Sequence, residues 1–551
     1  MAQNLQEFFL TQLASGIKRR SVTSCSRWAE NYRVMGQPFP GPFSFLHHPW
    51  LREMHDSEAE FNVGQKAAQM GYTETALNLA LYSIDILGLN VLYVLPTKNP
   101  DASNFSADRF GLALELSPYL KNLFSDVSNV GHKRTGTANL YVRGSRSRSQ
   151  LKSIPAAVII LDEKDEMTAK NVPLAYERAA GQTTKKIWEL STPTVPRAGI
   201  NVDFEQSTQN HFFFKCPACT RFTELVFPDS IVCTGESLND KNLRDSHIIC
   251  KECKSVLPHQ TKHEWLANSR WVESFEDRQK IGWYINQLYS PTVTPYEIAT
   301  KMILAQDHPG HEQELYNSKM GLPRSVKGSS VTPQQILESL GSYKQYEAHL
   351  GNRVVTAGID VGKKFHYVID EWILPPYGTP VVDINVEARC RTLKMGETEE
   401  LKVLEDDLAA FRFDYAVIDS QPERRLAIDF ANRYYGKVRA CSYEMGIEGK
   451  ALHLDSVEPR VKVDRTSWLD MSLGRFKAGT ITLPYDAPDE FKQHIMAPVR
   501  AYTPDAQGNM TGRWITPDGK ADHWAHARNY SEIALPLAAS LSSVIDIESP
   551  I

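Results

Sequence analysis

The stretch FNVGQKAAQMGYTETALNLALYSIDILG, residues 61–88, decides the fold of the first half of this sequence. An apolar, strand-like run passes through a loop containing Gly64 and Gly71 into a stretch of helical character. Further apolar runs then alternate with helical stretches: NVLYVLPT, LYVRG, AAVIILDE and KKIWELSTPT. This alternation predicts an α/β domain built on a mainly parallel sheet, after an opening segment, residues 1–60, that is helical and irregular.

Length and composition limit the class of protein. A chain of 551 residues is too long for one hydrophobic core, so we expect two or three domains. With 42% hydrophobic and 23% charged residues the composition is that of a globular protein. The net charge of −5 neither favours nor excludes a nucleic-acid partner, because a local basic channel would be enough. No stretch is apolar enough to span a bilayer, and the N-terminal charges follow the apolar residues, unlike a secretory signal, so we expect a cytosolic protein.

The loop of residues 64–74 departs from the usual phosphate-binding pattern GxxxxGK[ST]. Gly71 and Thr73 fit that pattern, but Tyr72 stands at the lysine position and Lys66 at the first glycine. Lys66 would reach the phosphates of a nucleotide from the start of the loop, and Thr73 would ligate Mg²⁺. Taken alone, a plain strand–turn–helix explains this loop equally well.

Two later strand ends favour the nucleotide-binding interpretation. The apolar run AAVIILDE ends in Asp162, which would hold the water shell of Mg²⁺, and Glu163, which would polarise the attacking water. Thr192, in the strand end LSTPT, would sense the terminal phosphate. Adjacent acids also occur at strand ends that lead into solvated loops, so the hypothesis depends on all three elements together.

Two CxxC pairs predict a structural zinc ribbon. Thiolates at this spacing wrap one tetrahedral Zn²⁺, and a site closed by four thiolates has no open position for catalysis. Cys233, His247 and His259 are possible substitute ligands. We expect the phenylalanines at positions 212–214 to pack this small ribbon. The predicted ligands are Cys216, Cys219, Cys250 and Cys253.

A second α/β pattern begins at RVVTAGIDVG and carries three separated acids. Asp360 and Asp419 lie on strand-like runs, and Asp522 lies at the start of a helix with His526 one turn later. Three acids on two strands and one helix fit the plan of an RNase H-like nuclease that uses two Mg²⁺ or Mn²⁺ ions. Each acid alone has a simpler role, as a turn cap, a strand end or a helix N-cap. The reserve candidates are expected to be solvated: Asp370, Glu371 and Asp464.

The combined motifs resemble a known family. The loop QKAAQMGYT, the basic SRSRSQLKS, and the strands VIILDE and LSTPT are similar to the ATPase half of lambda-type (GpA-like) phage terminase large subunits. The stretches GWYINQLYSP, LYNSKMGLP, VKVDRTSWLD and ITLP resemble later parts of the same family.

The resemblance implies a P-loop ATPase that drives DNA into procapsids and a nuclease that cuts concatemeric DNA. It implies ATP and Mg²⁺ or Mn²⁺ as cofactors, beside the Zn²⁺ that the cysteine pairs predict. It places Gln69 where many members carry a phosphate-contacting arginine. The implied partners are double-stranded DNA, a small terminase subunit and the portal of the procapsid, with a homo-oligomeric ring on the portal. The implied location is the cytoplasm of the host cell.

We predict four segments from these patterns. The ATPase domain covers residues 1–210, the zinc ribbon 211–262, an ATPase completion or linker 263–346, and the nuclease domain 347–551. Two rival hypotheses remain open at this point: an ATPase–nuclease of DNA repair or recombination, and a zinc-dependent DNA-binding protein with a degenerate ATPase fold.

Basic residues between the strands of the first half form a candidate DNA contact. Such contacts to phosphates are independent of sequence, which suits a translocating motor, although a solvated charged face explains them almost as well. Arg424 and Arg425, after Asp419, are further candidates for holding DNA. The basic cluster consists of Lys133, Arg134, Arg143, Arg146, Arg148 and Lys152.

Overall fold

A computed structural model describes residues 22–540, except 125–126, 130, 136–137, 327, 348–352, 375–380, 445–446, 448 and 505–509. The first 21 residues of the N-terminal segment predicted to be helical and irregular therefore lie outside the described residues. The chain divides into two compact units, Met1–Arg324 and Ser325–Ile551. In the part of the chain that the structure describes, no helix has the length and apolar character needed to cross a membrane.

The first unit contains one large sheet and two small ones. Its strands are β1 (Val34–Met35), β2 (Gly41–Pro42), β3 (Phe61–Lys66), β4 (Val91–Leu95), β5 (Val127–Asn129), β6 (His132–Thr135), β7 (Ala138–Gly144), β8 (Val158–Asp162), β9 (Lys186–Ser191), β10 (Asn210–Lys215), β11 (Phe222–Thr223), β12 (Ile231–Val232), β13 (His247–Ile249), β14 (Val256–Leu257), β15 (Ser269–Val272) and β16 (Ile281–Ile285).

The large sheet is 11-stranded, in the order β11-β10-β16-β3-β9-β8-β4-β7-β6-β5, with β15 also paired to β10. All strand pairs from β10 through β16, β3, β9, β8 and β4 to β7 are parallel. Strands β4 and β8 are buried along their whole length, as expected for parallel strands covered on both faces. The predicted mainly parallel sheet is confirmed.

Helices cover this sheet and connect its strands. They are α1 (Cys25–Tyr32), α2 (Leu51–His55), α3 (Tyr72–Asp85), α4 (Leu112–Leu116), α5 (Pro118–Leu123), α6 (Val172–Tyr176), α7 (Ile200–Glu205), α8 (Lys262–Trp265), α9 (Pro295–Asp307) and α10 (Pro309–Glu314). Helix α3 follows β3 through the loop quoted above, and Gly71 begins the helix with φ of 83°, a left-handed conformation that favours glycine.

The phenylalanines before the first cysteine pair do not belong to a separate ribbon. They lie on β10, which pairs with β16 and β15 in the large sheet. Phe212 and Phe214 alternate into its core, where both rings lie against Tyr289. Period-2 alternation on β10 thus directs two of the rings into the larger core, whereas the Phe213 ring lies 6.0 Å from Nζ of Lys251, between the second pair of cysteines.

The second unit is built on an 8-stranded mixed sheet, in the order β22-β23-β21-β20-β17-β18-β19-β24, and a two-stranded ribbon, β25-β26. The strands are β17 (Val354–Val361), β18 (Phe365–Ile373), β19 (Arg389–Thr398), β20 (Tyr415–Asp419), β21 (Val438–Tyr443), β22 (His453–Leu454), β23 (Arg460–Val463), β24 (Ile481–Thr482), β25 (Val499–Pro504) and β26 (Met510–Ile515). The helices are α11 (Pro333–Glu338), α12 (Val381–Glu387), α13 (Leu401–Ala410), α14 (Arg424–Arg433), α15 (Arg465–Ala478), α16 (Asp489–Met496) and α17 (His523–Ser540).

Helix α17 lies directly on the backbone of β17 because that strand carries a glycine at the crossing. A Cβ atom added to Gly358 would lie 2.0 Å from the carbonyl oxygen of Ala527 and 2.2 Å from the backbone nitrogen of Ser531. These are backbone atoms of the helix, so no side-chain movement relieves the overlap. Gly358 thus sets the position of α17, whose first turn reaches the carboxyl end of β17.

Two of the reserve acids are buried rather than solvated. The Asp370 carboxylate accepts a hydrogen bond from Thr392 and lies 3.5 Å from Arg528, while Glu371 pairs with Arg391 at 2.6 Å. The expectation of solvated carboxylates was wrong, because arginines supplied by β19 and α17 compensate the buried charges. Asp464 is the N-cap of α15 and accepts a hydrogen bond from the backbone N–H of Ser467.

We expect Gly358→Ala to destabilise the second unit by about 1–3 kcal/mol, the usual effect of overpacking in a filled interior. The midpoint of urea unfolding and hydrogen–deuterium exchange across α17 measure the effect. Gly474→Ala is the matched control, because Gly474 lies within α15 and a Cβ there meets nothing within 4 Å. This control should be neutral or stabilise the helix by up to about 1 kcal/mol. Equal effects of the two substitutions would contradict the close approach.

Candidate functional sites

Strand β3 and helix α3 position the predicted phosphate loop, and more distant segments hold it from behind. The backbone N–H of Ala67 donates to the carbonyl oxygen of Ile285 at 2.9 Å, and that of Ala68 donates to Ser318 at 2.8 Å. The Gln65 side chain donates to the carbonyl oxygen of Gly321 at 3.0 Å. The stretches GWYINQLYSP and LYNSKMGLP therefore support this loop.

Lys66 joins the loop to the two predicted strand ends. It is the last residue of β3, and its buried Nζ lies 2.9 Å from Oε1 of Glu163 and donates to Oγ1 of Thr192 at 3.5 Å. Burial favours a lower pKa for Lys66, but the charges of Glu163, Asp162 and Asp165 outweigh burial and raise it. The amine is therefore protonated, and three residues predicted from separate motifs meet at one point.

Asp162 is buried at the end of β8 beside Thr73. Its Oδ2 accepts a hydrogen bond from the hydroxyl of Tyr93 at 2.6 Å, and the Thr73 hydroxyl near the carboxylate lowers its pKa. Burial, and then the adjacent Glu163, raise its pKa, while Lys66 opposes them. Its other oxygen, Oδ1, is buried and has no hydrogen-bond partner among the described residues. An orphaned carboxylate oxygen next to a threonine hydroxyl fits the water shell of a nucleotide-bound Mg²⁺.

The remaining loop residues divide between surface and interior. Gln69 is exposed, with φ of 58°. The Tyr72 ring is buried, and its atoms would lie 2.8 and 2.9 Å from a Cβ at Gly64. The side chain of Tyr72 thus fills the space beneath the loop, which leaves its backbone N–H as the group available to a phosphate.

A cleft of about 540 Å³ opens at this end of the sheet. Thr73, Asp162 and Glu163 line it together with Arg109 and Arg146. Arg109 was not predicted from the sequence, and Arg146 was predicted to contact DNA. Arg109 and Arg146 follow the carboxyl ends of the parallel strands β4 and β7, where such sheets bind ligands. That position was the available sequence signal for a role in ligand binding.

Asp165 ties the ends of β8 and β9 together. Its carboxylate accepts hydrogen bonds from the N–H and hydroxyl of Thr194, both at 3.1 Å, and from the N–H of Ile200 at 2.7 Å. Burial raises the pKa of Asp165 to about 7, against the opposing effect of these bonds. This acid was not predicted, and it fixes the strand end that carries Thr192.

The predicted basic cluster is not one surface. Lys133 is buried with its Nζ 5.1 Å from the centre of the Phe110 ring, and Arg146 lines the nucleotide cleft. Arg143 and Lys152 line a neighbouring cleft of about 750 Å³. In the second unit Arg424 pairs with Glu458 at 2.6 Å, whereas the Arg425 side chain is 94% exposed.

The four predicted cysteines come together. Their sulfur atoms all lie within 4.8 Å of one another, and the Sγ atoms of Cys216 and Cys253 are 3.9 Å apart. Tetrahedral Zn²⁺ with bonds of about 2.3 Å holds its sulfurs about 3.8 Å apart, so this set fits the ion. The two turns match: Thr220 and Lys254, with φ of 60° and 59°, each donate back to the first cysteine of their pair. Cys233 lies outside the group, and its thiol bonds to the carbonyl oxygen of Gly235.

In the second unit two of the three predicted acids share one sheet edge. Strands β17 and β20 are parallel, with Ile359 opposite Ile418, so Asp360 and Asp419 follow at the same level. Burial, and to a smaller extent the charge of Asp360, raise the pKa of Asp419 to about 6, although the N–H of Gln421 bonds to it. The two carboxylates therefore interact in a site that favours a cation between them.

The third acid has its own partners. Asp522 accepts a hydrogen bond from Thr516 and lies 3.3 Å from Nε2 of His526. Burial favours a raised pKa for Asp522, but His526, Thr516 and Arg465 outweigh it and lower the pKa. His526 also lies 3.2 Å from the hydroxyl of Tyr443.

Two histidines that sequence reasoning missed lie beside Asp360. His366 is its cross-strand partner on β18, and Nδ1 of His523 lies 2.9 Å from Oδ2 of Asp360. One ligand atom from each of these three residues lies within 4.8 Å of the others. The hairpin GIDVGKKFHYV was the available signal for His366, because a tight turn places it opposite Asp360.

Comparisons with known proteins find two terminase domains along this chain. The model of "Phage terminase large subunit gpA, ATPase domain" matches residues 37–271, and that of "Terminase large subunit gpA, endonuclease domain" matches residues 280–372. The second match begins inside the first unit, which ends at Arg324, includes Asp360 and stops before Asp419 and Asp522. A search of curated proteins finds no match to this sequence.

Solved structures of large terminases are also similar. The HK97 bacteriophage large terminase has 10% identity and a TM-score of 0.48, covering 94% of this chain and 99% of that one. The large terminase of a thermophilic bacteriophage has 10% identity and a TM-score of 0.30, covering 89% and 98%. The ATPase domain of the Thermus phage P74-26 large terminase has 13% identity and a TM-score of 0.31, covering 50% and 96%. Family membership rests on the two family models rather than on these structures.

Proposed function

The chain belongs to the lambda-type family of phage terminase large subunits, and we propose that Lys66, Thr73, Asp162, Glu163 and Thr192 carry its ATPase reaction. The predicted ATPase and nuclease activities are confirmed at the level of the family, which acts on DNA with phage packaging components and uses nucleotide and divalent metal. The observation that carries the residue assignment is the contact of Lys66 with both Glu163 and Thr192.

The Lys66–Glu163 pair suggests how nucleotide prepares the site. Without a phosphate, each group neutralises the other across 2.9 Å. A triphosphate in the cleft competes for the Lys66 amine, because its negative charge exceeds that of one carboxylate. Glu163 is then released to polarise a water molecule near the terminal phosphate. Lys66 thus serves as both phosphate ligand and restraint on the general base.

The other ATP-site residues have positional roles. Thr73 and Asp162 would hold Mg²⁺ bound with the nucleotide, which neutralises developing charge on the phosphates. Gly71 and the backbone N–H of Tyr72 contribute to the phosphate cradle at the start of α3. Gln69 is exposed on the loop and would contact a phosphate of a neighbouring subunit's nucleotide in a ring.

We propose Asp360, Asp419 and Asp522 as the acids that cut DNA. Divalent metal at such carboxylates supplies an activated water and stabilises the departing oxygen. Asp360 and Asp419 are already placed at one sheet edge. Asp522 would join them by exchanging its bond with Thr516 for the cation. His526, one helical turn later, would keep its contact with the carboxylate and orient it.

The four-cysteine cluster is proposed as a structural Zn²⁺ site. Its closed ligand set leaves no position for a substrate, so its role is to hold the segment of β12 to β14 on the first unit. Cys216 directly follows β10, so metal binding would tie this insertion to a strand of the large sheet.

The remaining assignments follow from the family. We propose ATP-driven packaging of double-stranded DNA into a procapsid in the host cytoplasm, with a small terminase subunit and a portal as partners and a ring of copies on the portal. The domain proposal is 1–210 for the ATPase, 211–262 for the ribbon, 263–346 for an ATPase completion or linker and 347–551 for the nuclease. Residues 325–346 of the third segment belong to the second compact unit.

Glu163→Gln should lower steady-state ATP hydrolysis at least about 100-fold, because the amide cannot polarise water as the carboxylate does. Binding of a fluorescent ATP analogue should remain, since Lys66 and Thr73 are unchanged. Phosphate release measures the first quantity and fluorescence anisotropy the second. Glu177→Gln, at an exposed position, is the control. Wild-type hydrolysis by the Glu163 variant would refute its role as general base.

Asp360→Ala should abolish plasmid cleavage in Mn²⁺ while ATP hydrolysis stays at the wild-type rate. Removing one carboxylate takes away charge that a catalytic cation needs. Gel electrophoresis of supercoiled plasmid measures the nicked and linear products. Asp429→Asn is the matched control, because Asp429 is an exposed acid on α14. Equal cleavage by the Asp360 variant and the wild type would remove the nuclease assignment.

Cys216→Ser should eliminate stoichiometric zinc, which we expect at one ion per wild-type chain. A serine hydroxyl does not replace a thiolate at a four-cysteine site. Plasma emission spectroscopy of purified protein gives the zinc content, and near-ultraviolet circular dichroism reports the surrounding packing. Cys233→Ser should retain zinc, because that thiol lies outside the cluster. Zinc in both variants at wild-type levels would be incompatible with the proposed site.

A further inference from the structure

Two histidine side chains lie beside Asp360, in addition to the three acids proposed for DNA cleavage. We propose that Asp360, His366 and His523 form a divalent-cation site that selects a transition ion such as Mn²⁺ over Mg²⁺. The proposal assigns the metal chemistry of the proposed nuclease site. Its biological use rests on the proposed nuclease function, whereas binding of the ion is tested separately.

Three separate elements bring these residues together. The antiparallel register of β17 and β18 sets His366 directly opposite Asp360. His523 is the first residue of α17, and the close packing of that helix on Gly358 fixes where its first turn lies. The backbone of the sheet and the helix therefore brings these three residues together.

The donor atoms are close enough to share one ion. All three residues offer a ligand atom within 4.8 Å of the others, and Oδ2 of Asp360 is 2.9 Å from Nδ1 of His523. The rings of His366 and His523 are stacked, with centroids 4.6 Å apart and planes 13° apart, so binding of one ion by both requires at least one ring to rotate. One cation bound to both nitrogens and the carboxylate would replace the direct contact between Asp360 and His523.

His366 supplies independent support for a ligand. Its side chain is only 9% exposed, and Nδ1 has no hydrogen-bond partner among the described residues. Its Nε2 lies 3.6 Å from Glu397, beyond hydrogen-bond distance. A buried ring nitrogen that has lost water without gaining a partner is unfavourable, and a coordinated cation corrects this deficit.

The neighbours complete a shell around the site. The indole of Trp524 lies 4.9 Å from the His366 ring, and the His494 ring lies 5.9 and 5.8 Å from His366 and His523. His494 Nδ1 accepts the backbone N–H of Trp524 at 3.5 Å, so it holds the start of α17 rather than joining the ligand group. Asp522 is also outside the group and bonded to Thr516.

The donor chemistry determines the class of ion. Mg²⁺ prefers oxygen ligands, whereas imidazole nitrogen suits first-row transition ions, and two histidines with one carboxylate leave positions open for further ligands. Mn²⁺ is a suitable probe because it accepts both donor types and does not compete strongly for the thiolates of the cysteine cluster.

The experiment uses the full chain with its zinc in place. Mn²⁺ is titrated and followed by electron paramagnetic resonance, and electron spin echo modulation detects nitrogen bound to the ion. Wild type should show imidazole ¹⁴N coupling to bound Mn²⁺, and Mg²⁺ in tenfold excess should not displace it. His366→Ala and His523→Ala should each weaken Mn²⁺ binding at least about tenfold. His453→Ala, an exposed histidine of the same unit, should bind as wild type does.

Two results would overturn the proposal: bound Mn²⁺ without ¹⁴N coupling in wild type, or unchanged Mn²⁺ affinity in His523→Ala. His523 is 45% exposed, so its substitution leaves a folded protein even if the buried His366 position tolerates none. Plasmid cleavage separates this proposal from the nuclease assignment. Nitrogen-bound Mn²⁺ without cleavage supports the site and removes the nuclease, whereas cleavage without nitrogen coupling does the reverse.

Discussion

Parallel pairing places the carboxyl ends of neighbouring strands at one edge of a sheet, and both candidate reaction sites depend on this constraint. In the first unit it aligns the ends of β3, β8 and β9, so that Lys66, Asp162 and Thr192 meet. In the second unit it aligns Asp360 with Asp419 across β17 and β20. Residues far apart in the sequence thus become neighbours without any one segment carrying the whole site.

Buried charge must be compensated, and one network of side chains in the second unit shows how. Arg475, Arg528, Asp370 and Glu532 form a buried set in which two cations face two anions, with Arg475 and Arg528 each 2.6 Å from Glu532. Its arginines hold the pKa of Glu532 down at about 2 despite burial. Breaking such a buried group by removing one partner costs about 3–5 kcal/mol. The two candidate sites also hold buried atoms without hydrogen-bond partners among the described residues, such as Oδ1 of Asp162 and Nδ1 of His366. The network holds others, including Oδ2 of Asp370 and Nε of Arg528. A missing partner therefore indicates a ligand only where other candidate ligand groups converge on the same point, as they do at the two sites.

Sequence patterns predicted those parts of the sites that lie on a single element. The strand–loop–helix of residues 61–88, the acidic end of β8 and the paired cysteines each carry a local signal, and the family match bears out the fold class. Pairings between distant segments carried no such signal. The burial of Asp370 depends on Arg528, and the place of Phe212 depends on β16, both far along the chain. His366 and His523 were missed because a histidine becomes a candidate ligand only when the fold places other ligands beside it.

Residues far beyond the phosphate loop in the sequence contact the loop, which explains why they resemble the same family as the loop does. Ile285 and Ser318 accept the backbone N–H groups of Ala67 and Ala68, and Gly321 accepts a bond from Gln65. Gly321 has φ of 62°, and a Cβ there would lie 2.5 Å from the backbone nitrogen of Ala67, so both its conformation and its contact require glycine. A change in the loop on nucleotide binding must therefore move or strain the segment ending at Gly321. Since that segment lies immediately before the end of the first unit at Arg324, the loop and the boundary of the motor are mechanically linked within one unit.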